Sequence, residues 1–414
     1  MERLDVAPVW SGHPVGFSIA TADNRQYVAF YDSERRMTVA GRDLGSTDWT
    51  YQRLRSRLGW DSHNGVVVAA DSAGFIHIAG NMHGDPLVYL RSQRPHDLST
   101  LEREQMIGTR ELQVSYPQFV LDSNGALFFH YRDGRSGEGV RIFNRWDPSS
   151  RRWSRYLDQP LFDGLGRASA YLNGPLPGPD GAFHLVWVWR DTPSGATNHD
   201  ISYARSTDLA HWETAGGEPL ELPLTPAHTA AVVDPVAAGS GLAGIAFHVG
   251  WDGAGRPVVN YVKYDPAGVS QLHNARWEGD VWRVYRTSDW SWRWELDVTG
   301  SLEHLIVTEA VRVDPGGRLL QRFRHHESGS GEWVLDAASL RPVDTLPLPG
   351  VLGELRRPES ATPGMEVRGF VWDRRGEYLL RWETLPHNRD RRRKGPAPAP
   401  TMLRVLRLGE ARPD

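Results

Sequence analysis

Short stretches of alternating apolar and polar residues recur along this chain, separated by glycine, proline, asparagine or aspartate. "GFIHIAG" (74–80), "ALFFHY" (126–131), "FHLVWVW" (183–189), "RPVVNYVKY" (256–264), "RLLQRFRHH" (318–326) and "EYLLRWE" (377–383) each read as one strand of a half-buried sheet. Helical periodicity is scarce. The one stretch with helical character is "DLSTLEREQM" (97–106), where Asp97 or Ser99 is placed to cap a single short turn before Leu101.

Seven times an Asp-x-x-Gly type of turn runs into such a strand. The anchors are Asp23, in a copy that lacks the glycine, then Asp71, Asp122, Asp180, Asp252, Asp314 and Asp373. Successive anchors lie roughly 50 to 70 residues apart, which suits a four-stranded antiparallel sheet with its loops and is too long for a solenoid coil. A single small twisted sheet cannot bury both faces, but sheets stacked around an axis bury each face against a neighbour. The pattern therefore predicts an all-β fold, a seven-bladed β-propeller of four-stranded antiparallel sheets, as one domain over residues 1–414. "STDLAHW" (206–212) looks like the Ser-x-Asp-x-x-x-Trp box of sialidase-type propeller repeats, with weaker echoes in "DPSSRRW", "YDPAG" before "EGDVW", and "GSGEW". These boxes are read as structural, the Asp holding a turn and the Trp packing between sheets.

Composition supports this picture: 17 Trp, 42 Gly and 28 Pro in 414 residues suit packed sheets joined by many turns. The absence of cysteine excludes disulfides, thiolate nucleophiles and cysteine-ligated metal. A formal net charge of −4 provides no global basic field, so neither nucleic acid nor an anionic membrane is an expected partner. "MERLDVAPVW" lacks the basic and apolar regions of a signal peptide, and no run of ~18 apolar residues is present to span a bilayer. Localisation stays open, because the chain could be a trimmed secreted protein. "LPHNRDRRRKGPAPAP" (385–400) reads as a long, mobile, basic and proline-rich hairpin loop and not as a nucleic-acid contact.

Candidate chemistry gathers where strands end, because loops at one rim of a propeller converge on a shared pocket. His63 lies just before one strand of the second repeat and His83 just after the next, in "WDSHNGVVVAADSAGFIHIAGNMHGD", whereas His77, inside the strand, reads as packing. Tyr131 and Arg132 precede the glycine-rich turn of "HYRDGRSGEGVRIF". That turn leads into a strand and not a helix, so the amide cradle of a phosphate loop is missing. Arg190 follows an aromatic strand, Asn198, His199 and Asp200 open the next, and Lys263, Tyr264 and Arg293, the last between two tryptophans, stand at later tips. Few carboxylates accompany these groups. A glycosidase of the usual kind needs two, whereas removing the proton beside a uronate carboxylate needs a base, a cation to neutralise the acid and a proton donor.

The stretches "WDSHN", "DSAGFIHIAGNMHGDPLVYLRS", "YPQF", "FFHYRDGRSGEG", "FHLVWVWRDT", "NHDISYARSTDLAHW" and "TSDWSWRW" resemble the BNR-repeat family of seven-bladed propellers that includes ulvan lyases and rhamnose-glucuronate lyases. The resemblance runs from about residue 15 to residue 345. It implies a polysaccharide lyase that cleaves a uronate-containing glycan, of the rhamnose-glucuronate or iduronate kind, by β-elimination. Carried across, it implies His63 as base or acid, His83 and Tyr131 as its partners, and Arg190 or Arg132 as the group that binds the carboxylate. Asn64, Arg132, His199, Tyr203, Lys263, Arg293 and Trp294 are the expected substrate-binding residues, with rim aromatics stacking on sugar rings. No cofactor is required for that step; a structural divalent metal is possible, with His228, His248, His325 or His326 as candidates, but no zinc spacing is recognisable. The expected partner is an acidic polysaccharide or oligosaccharide, and a monomer is expected. Two alternatives stay open: a propeller α-L-rhamnosidase acting on the rhamnose-glucuronate linkage, and a carbohydrate-binding propeller without chemistry.

Overall fold

The computed structural model describes residues 1–348 and 350–407, and its strands group into seven antiparallel sheets. This is the all-β, seven-sheet fold of the β-propeller class. Four of the sheets have four strands, and three carry five or six because short outer strands add to the basic set. The expected short turn is a 3-10 turn at Leu98–Thr100 capped by the Asp97 side chain.

Two compact units divide the chain. The first comprises Met1–Gly134, Ile142–Asp158 and the described residues from Val351 onward; the second comprises Arg135–Arg141 and Gln159–Gly350. In the first unit, Glu2–Val9 pairs with Thr401–Arg407, so the first strand of the chain completes the sheet of the last. Its core gathers Tyr27, Phe30, Tyr31, Val39, Ile76, Ile78, Leu380 and Val405, all fully or almost fully buried. Leu98 closes over that core. The second unit packs Val186, Ile201, Val259 and Tyr261 in one cluster and Val262, Leu272, Trp294 and Leu319 in another.

The aspartate turns explain why so many short strands stay in register. At Asp71 the Gly74 amide donates to the Asp71 carbonyl at 3.0 Å, while Asp71 Oδ1 accepts from the Ala73 and Phe75 amides. Asp122, Asp252, Asp314 and Asp373 repeat this pattern, each at the turn of a hairpin within its sheet. Two anchors depart from expectation. The fourth turn closes at Gly178, with Asp180 Oδ1 accepting from the Ala182 amide and lying 2.8 Å from His184 Nε2. In the first repeat Asp23 sits in a tight hairpin at φ +50°, and the aspartate turn forms at Asp32 instead, with Arg35 at φ +68° where the other copies use glycine. In the box at Asp208, the carboxylate holds the Ala210 and His211 amides and Trp212 is 2% exposed.

The basic, proline-rich segment 385–400 connects Tyr378–Thr384 to Thr401–Arg407. Where a mobile loop is expected, the Leu385 amide and Arg393 donate to the carbonyls of Ser11 and Gly12, and Asn388 Nδ2 donates to the Trp60 carbonyl at 2.8 Å. These bonds tie it to the loop before Ser18–Ala22 and to the loop before Val66–Ala70.

Candidate functional site

Three backbone devices bring one constellation together in the first unit. The loop before Val66–Ala70 turns tightly, the Gly65 amide donating to the His63 carbonyl at 2.8 Å, and Tyr31 fixes it by donating to the Asn64 carbonyl at 2.7 Å. After Ile76–Gly80 the chain turns at Asn81, φ +63°, and His83–Asp85 leaves its own sheet to pair with Val114–Leu121 of the next. Opposite it, Ser115 pairs with Arg132 and Gln118 with His130, so Tyr116 and Pro117 together face one residue, Tyr131. Proline has no amide for the ladder, and the bulge turns Tyr116 out of the pleat at φ +53°. A bulky side chain in that backbone region is costly and persists only where its surroundings hold it.

Asp61 is the centre of the group. Its Oδ1 lies 2.7 Å from His63 Nδ1 and its Oδ2 lies 2.8 Å from His83 Nδ1. The His63 amide also donates to Oδ1, at 2.9 Å. The two imidazoles stack with centroids 4.2 Å apart and planes inclined by 25°. Burial by itself pushes the Asp61 carboxyl up, but hydrogen bonds from both histidines more than offset this and hold it well below the usual carboxylate range. An ionised Asp61 only accepts, so each Nδ1 carries the proton and each Nε2 is left for chemistry. The Tyr116 hydroxyl lies 3.3 Å from His83 Nε2. Behind it the Arg132 guanidinium sits 4.9 Å over the Tyr116 ring, its Nη2 donating to Ser115 Oγ at 3.2 Å. Asp390 takes the Ser62 amide and hydroxyl at 2.9 Å each and stands 3.6 Å from His63 Nδ1. Both imidazoles remain about a quarter exposed, so the group is open to solvent on one side.

The structure thus joins His63, His83, Arg132 and the buried Asn64 in one place. Tyr131 departs from the expected role: its ring is fully buried against Phe129, with its hydroxyl 3.5 Å from Arg155. Adjacent residues of a strand face opposite ways, so Tyr131 turns into the core while Arg132 turns towards Ser115 and Tyr116. Sequence reasoning missed Tyr116 and Asp61. "YPQF" and "WDSHN" contain them, but the only signal for Tyr116 is a proline inside a strand-like run, which marks a bulge.

The other expected residues lie in the second unit, each with partners of its own. Arg190 donates to Asn198 Oδ1 at 2.7 Å and stacks 3.8 Å over Tyr171. His199 sits between Asp200 and Asp191, at 2.9 and 3.1 Å, and its hydrogen bond to Asp200 raises its pKa. Lys263 is paired with Asp234 at 2.5 Å, and Arg293 stacks 3.9 Å over Tyr264. Tyr203 and Trp294 cannot stack on a sugar, since each is 1% exposed inside its core cluster. The four histidines named for a metal do not converge; His228, for example, accepts from the Thr225 amide, and His325 from the amides of Glu327 and Ser328. Among the described residues, the one group of three side chains close enough to hold a metal is Asp61, His63 and His83, whose ligand atoms lie within 4.8 Å and are hydrogen-bonded to one another.

Seven antiparallel sheets in succession, most of them closed by an aspartate turn, with a histidine pair held at strand ends, define a β-propeller with a polar strand-end site. Residues 25–290 match the family model described as "BNR repeat-containing family member", and the chain belongs to that family. No curated protein sequence matches it. Among solved structures it is similar to the polysaccharide lyase Uly1, at 14% identity and a TM-score of 0.63, covering 99% of each chain. It is also similar to a PL25 ulvan lyase, at 15% identity and a TM-score of 0.64 over 99% of this chain and 96% of that one. The same lyase bound to -[GlcA(1-4)Rha3S]- gives 15% identity and a TM-score of 0.65 at the same coverage. At these identities the likeness is one of fold.

Proposed function

We propose that this protein is a polysaccharide lyase that cleaves a uronate-containing glycan, of the rhamnose-glucuronate or iduronate kind, by β-elimination. One observation carries the reading: a tyrosine hydroxyl 3.3 Å from an imidazole whose far nitrogen is held by a shared, ionised aspartate. In this reading Tyr116 takes the C5 proton of the uronate as its own phenolic proton passes to His83 Nε2, and Asp61 stabilises the imidazolium that forms. The electron pair released at C5 becomes the C4–C5 double bond as the C4–O4 bond breaks. The leaving O4 then takes its proton from Tyr116, which recovers one from His83. Arg132 lowers the cost of negative charge on Tyr116 from behind the ring, and His63, backed by the same Asp61, offers its Nε2 as an acceptor to a hydroxyl of the sugar. Every proton is accounted for by these side chains. The ulvan oligosaccharide bound to a structural relative supports the substrate class.

Hydrolysis is the weaker reading, because Asp61 spends both oxygens on imidazoles and cannot serve as one of two carboxylates flanking the bond. The test is digestion of a rhamnose-glucuronate polymer, following the ultraviolet absorbance of an unsaturated uronate together with new reducing ends. Both signals rising together support elimination. Reducing ends without absorbance would establish a hydrolase, and neither signal across a panel of uronate polymers would leave a binding protein.

A further inference from the structure

A second feature of the first unit is a cavity of about 570 Å³ whose wall brings together Arg35, Arg57, Arg392, Arg393 and Lys394 with Trp10 and Trp60. The one carboxylate in that wall, Glu34, is engaged by Arg36 at 3.2 Å. Among the described residues none of the five cations makes an ion pair. Arg35 packs against both tryptophans, 4.9 Å from the Trp10 ring and 4.6 Å from that of Trp60, and the two rings meet edge to face at 5.6 Å. Like charges at Arg57 and Arg392 add to the burial that disfavours its charged form. Five cations held together against one paired carboxylate repel one another, and an anion entering between them relieves that repulsion.

We propose that this cavity is an anion subsite for a second, negatively charged sugar of the same glycan, with the sulfate ester or carboxylate among the cations and the pyranose face against tryptophan. The inference deepens the lyase reading and rests on it for the identity of the polymer. The chain itself joins the two places. Trp60 lines the cavity and is followed by Asp61 of the histidine cluster. In the closing loop Asp390 stands 3.6 Å from His63 Nδ1, and Arg392, two positions on, is in the cavity wall. A wall of tryptophan and cationic side chains suits a sugar anion better than a stacked nucleobase, because it presents five cations and the two indole rings meet edge to face at 5.6 Å, leaving no gap for a base between them.

Isothermal titration calorimetry on the full chain carrying Tyr116→Phe, which keeps the ligand intact, tests this with a sulfated uronate tetrasaccharide. Its desulfated and carboxyl-reduced counterparts show which anion is read. Adding Arg392→Gln and Lys394→Gln, both exposed loop positions with little bearing on folding, weakens binding of the sulfated tetrasaccharide about tenfold and flattens its salt dependence. Loss of affinity on desulfation alone assigns the cavity to a sulfate ester, and loss on carboxyl reduction alone assigns it to a uronate. The proposal is overturned if the loop variant binds as tightly as its parent, or if a single-stranded oligothymidylate binds as tightly as the tetrasaccharide. Failure of the lyase reading is a separate result: it is absence of unsaturated product from the wild-type chain, whatever the binding data show.

Discussion

Replacing Asp61 by asparagine changes one atom type and should silence the site. The carboxylate receives the His63 amide and His63 Nδ1 on one oxygen and His83 Nδ1 on the other. An asparagine has one acceptor, and it is best used on the side where two donors meet, facing His63. The new NH2 then points at His83 Nδ1, 2.8 Å from the atom it replaces. His83 can satisfy that donor only by moving its proton to Nε2. A ring nitrogen that should accept from Tyr116 then carries a hydrogen of its own and can no longer take the phenolic proton. Two losses add: a charge-assisted hydrogen bond, about 1.5–3 kcal/mol, and the wrong tautomer. The serine-protease aspartate-to-asparagine change shows that a wrong tautomer alone can cost about 10⁴ in kcat. We therefore expect Asp61→Asn to lower kcat by about 10² to 10⁴ with KM changed less than about threefold. Initial rates of unsaturated-uronate formation give the numbers, and the imidazole nitrogen resonances of His83 report the tautomer directly. A variant that retains kcat within threefold of wild type, with His83 shown to have switched tautomer, would refute the proton route.

Tyr116→Phe should lower kcat by about 10² to 10³, whereas Tyr131→Phe, whose hydroxyl makes only a 3.5 Å contact with Arg155, should leave steady-state rates within about twofold; equal losses at the two positions would contradict the assignment. Acid should destabilise the protein well above the carboxylate range, because burial lowers both His13 and His273 to about 4. A lowered folded pKa means the unfolded chain binds more protons between about 6.5 and 4, so stability is complete above that window and falls through it, by up to ~1.4 kcal/mol per pH unit for each group. Urea midpoints measured from pH 7 to pH 4.5 should show this slope, and a flat profile would oppose it. Trp10 Nε1 already donates to His13 Nδ1 at 2.9 Å, as a neutral ring requires. Gly80→Ala would place a Cβ 2.6 Å from the Gly65 carbonyl oxygen and 2.7 Å from Val66 Cα. Both are backbone, so a loss on the order of 1–3 kcal/mol is expected in thermal melts. Turnover should fall too, since the Asn81 amide hangs the His83 strand on that same carbonyl.

What the sequence made legible follows from the range of the forces involved. Alternation and aspartate turns are local, so the seven sheets could be counted from them. Even there the first anchor was misplaced, because Arg35 adopts the left-handed backbone that the other copies assign to glycine, and composition cannot show a non-glycine residue in that state. The His63 and His83 pair was visible as two strand ends twenty positions apart, but Asp61, which orders both rings, looked like any loop aspartate.

Parity set the remaining limit. Along a strand the side-chain period is two, so a segment such as "HYRD" fixes which residues share a face but leaves open which face meets the core. Tyr131 and Arg132 show the consequence: one is fully buried and the other reaches Ser115 beside Tyr116. At Tyr116 the parity is broken by the bulge itself, since two residues there oppose one. A side chain excluded from the regular alternation can no longer be assigned to either face by pattern, and it is the one delivered to the imidazoles. The bulge that hides Tyr116 from sequence reasoning is therefore also what frees its hydroxyl from the sheet, and a variant that restored regular pairing there would be expected to keep the fold and lose the proposed chemistry.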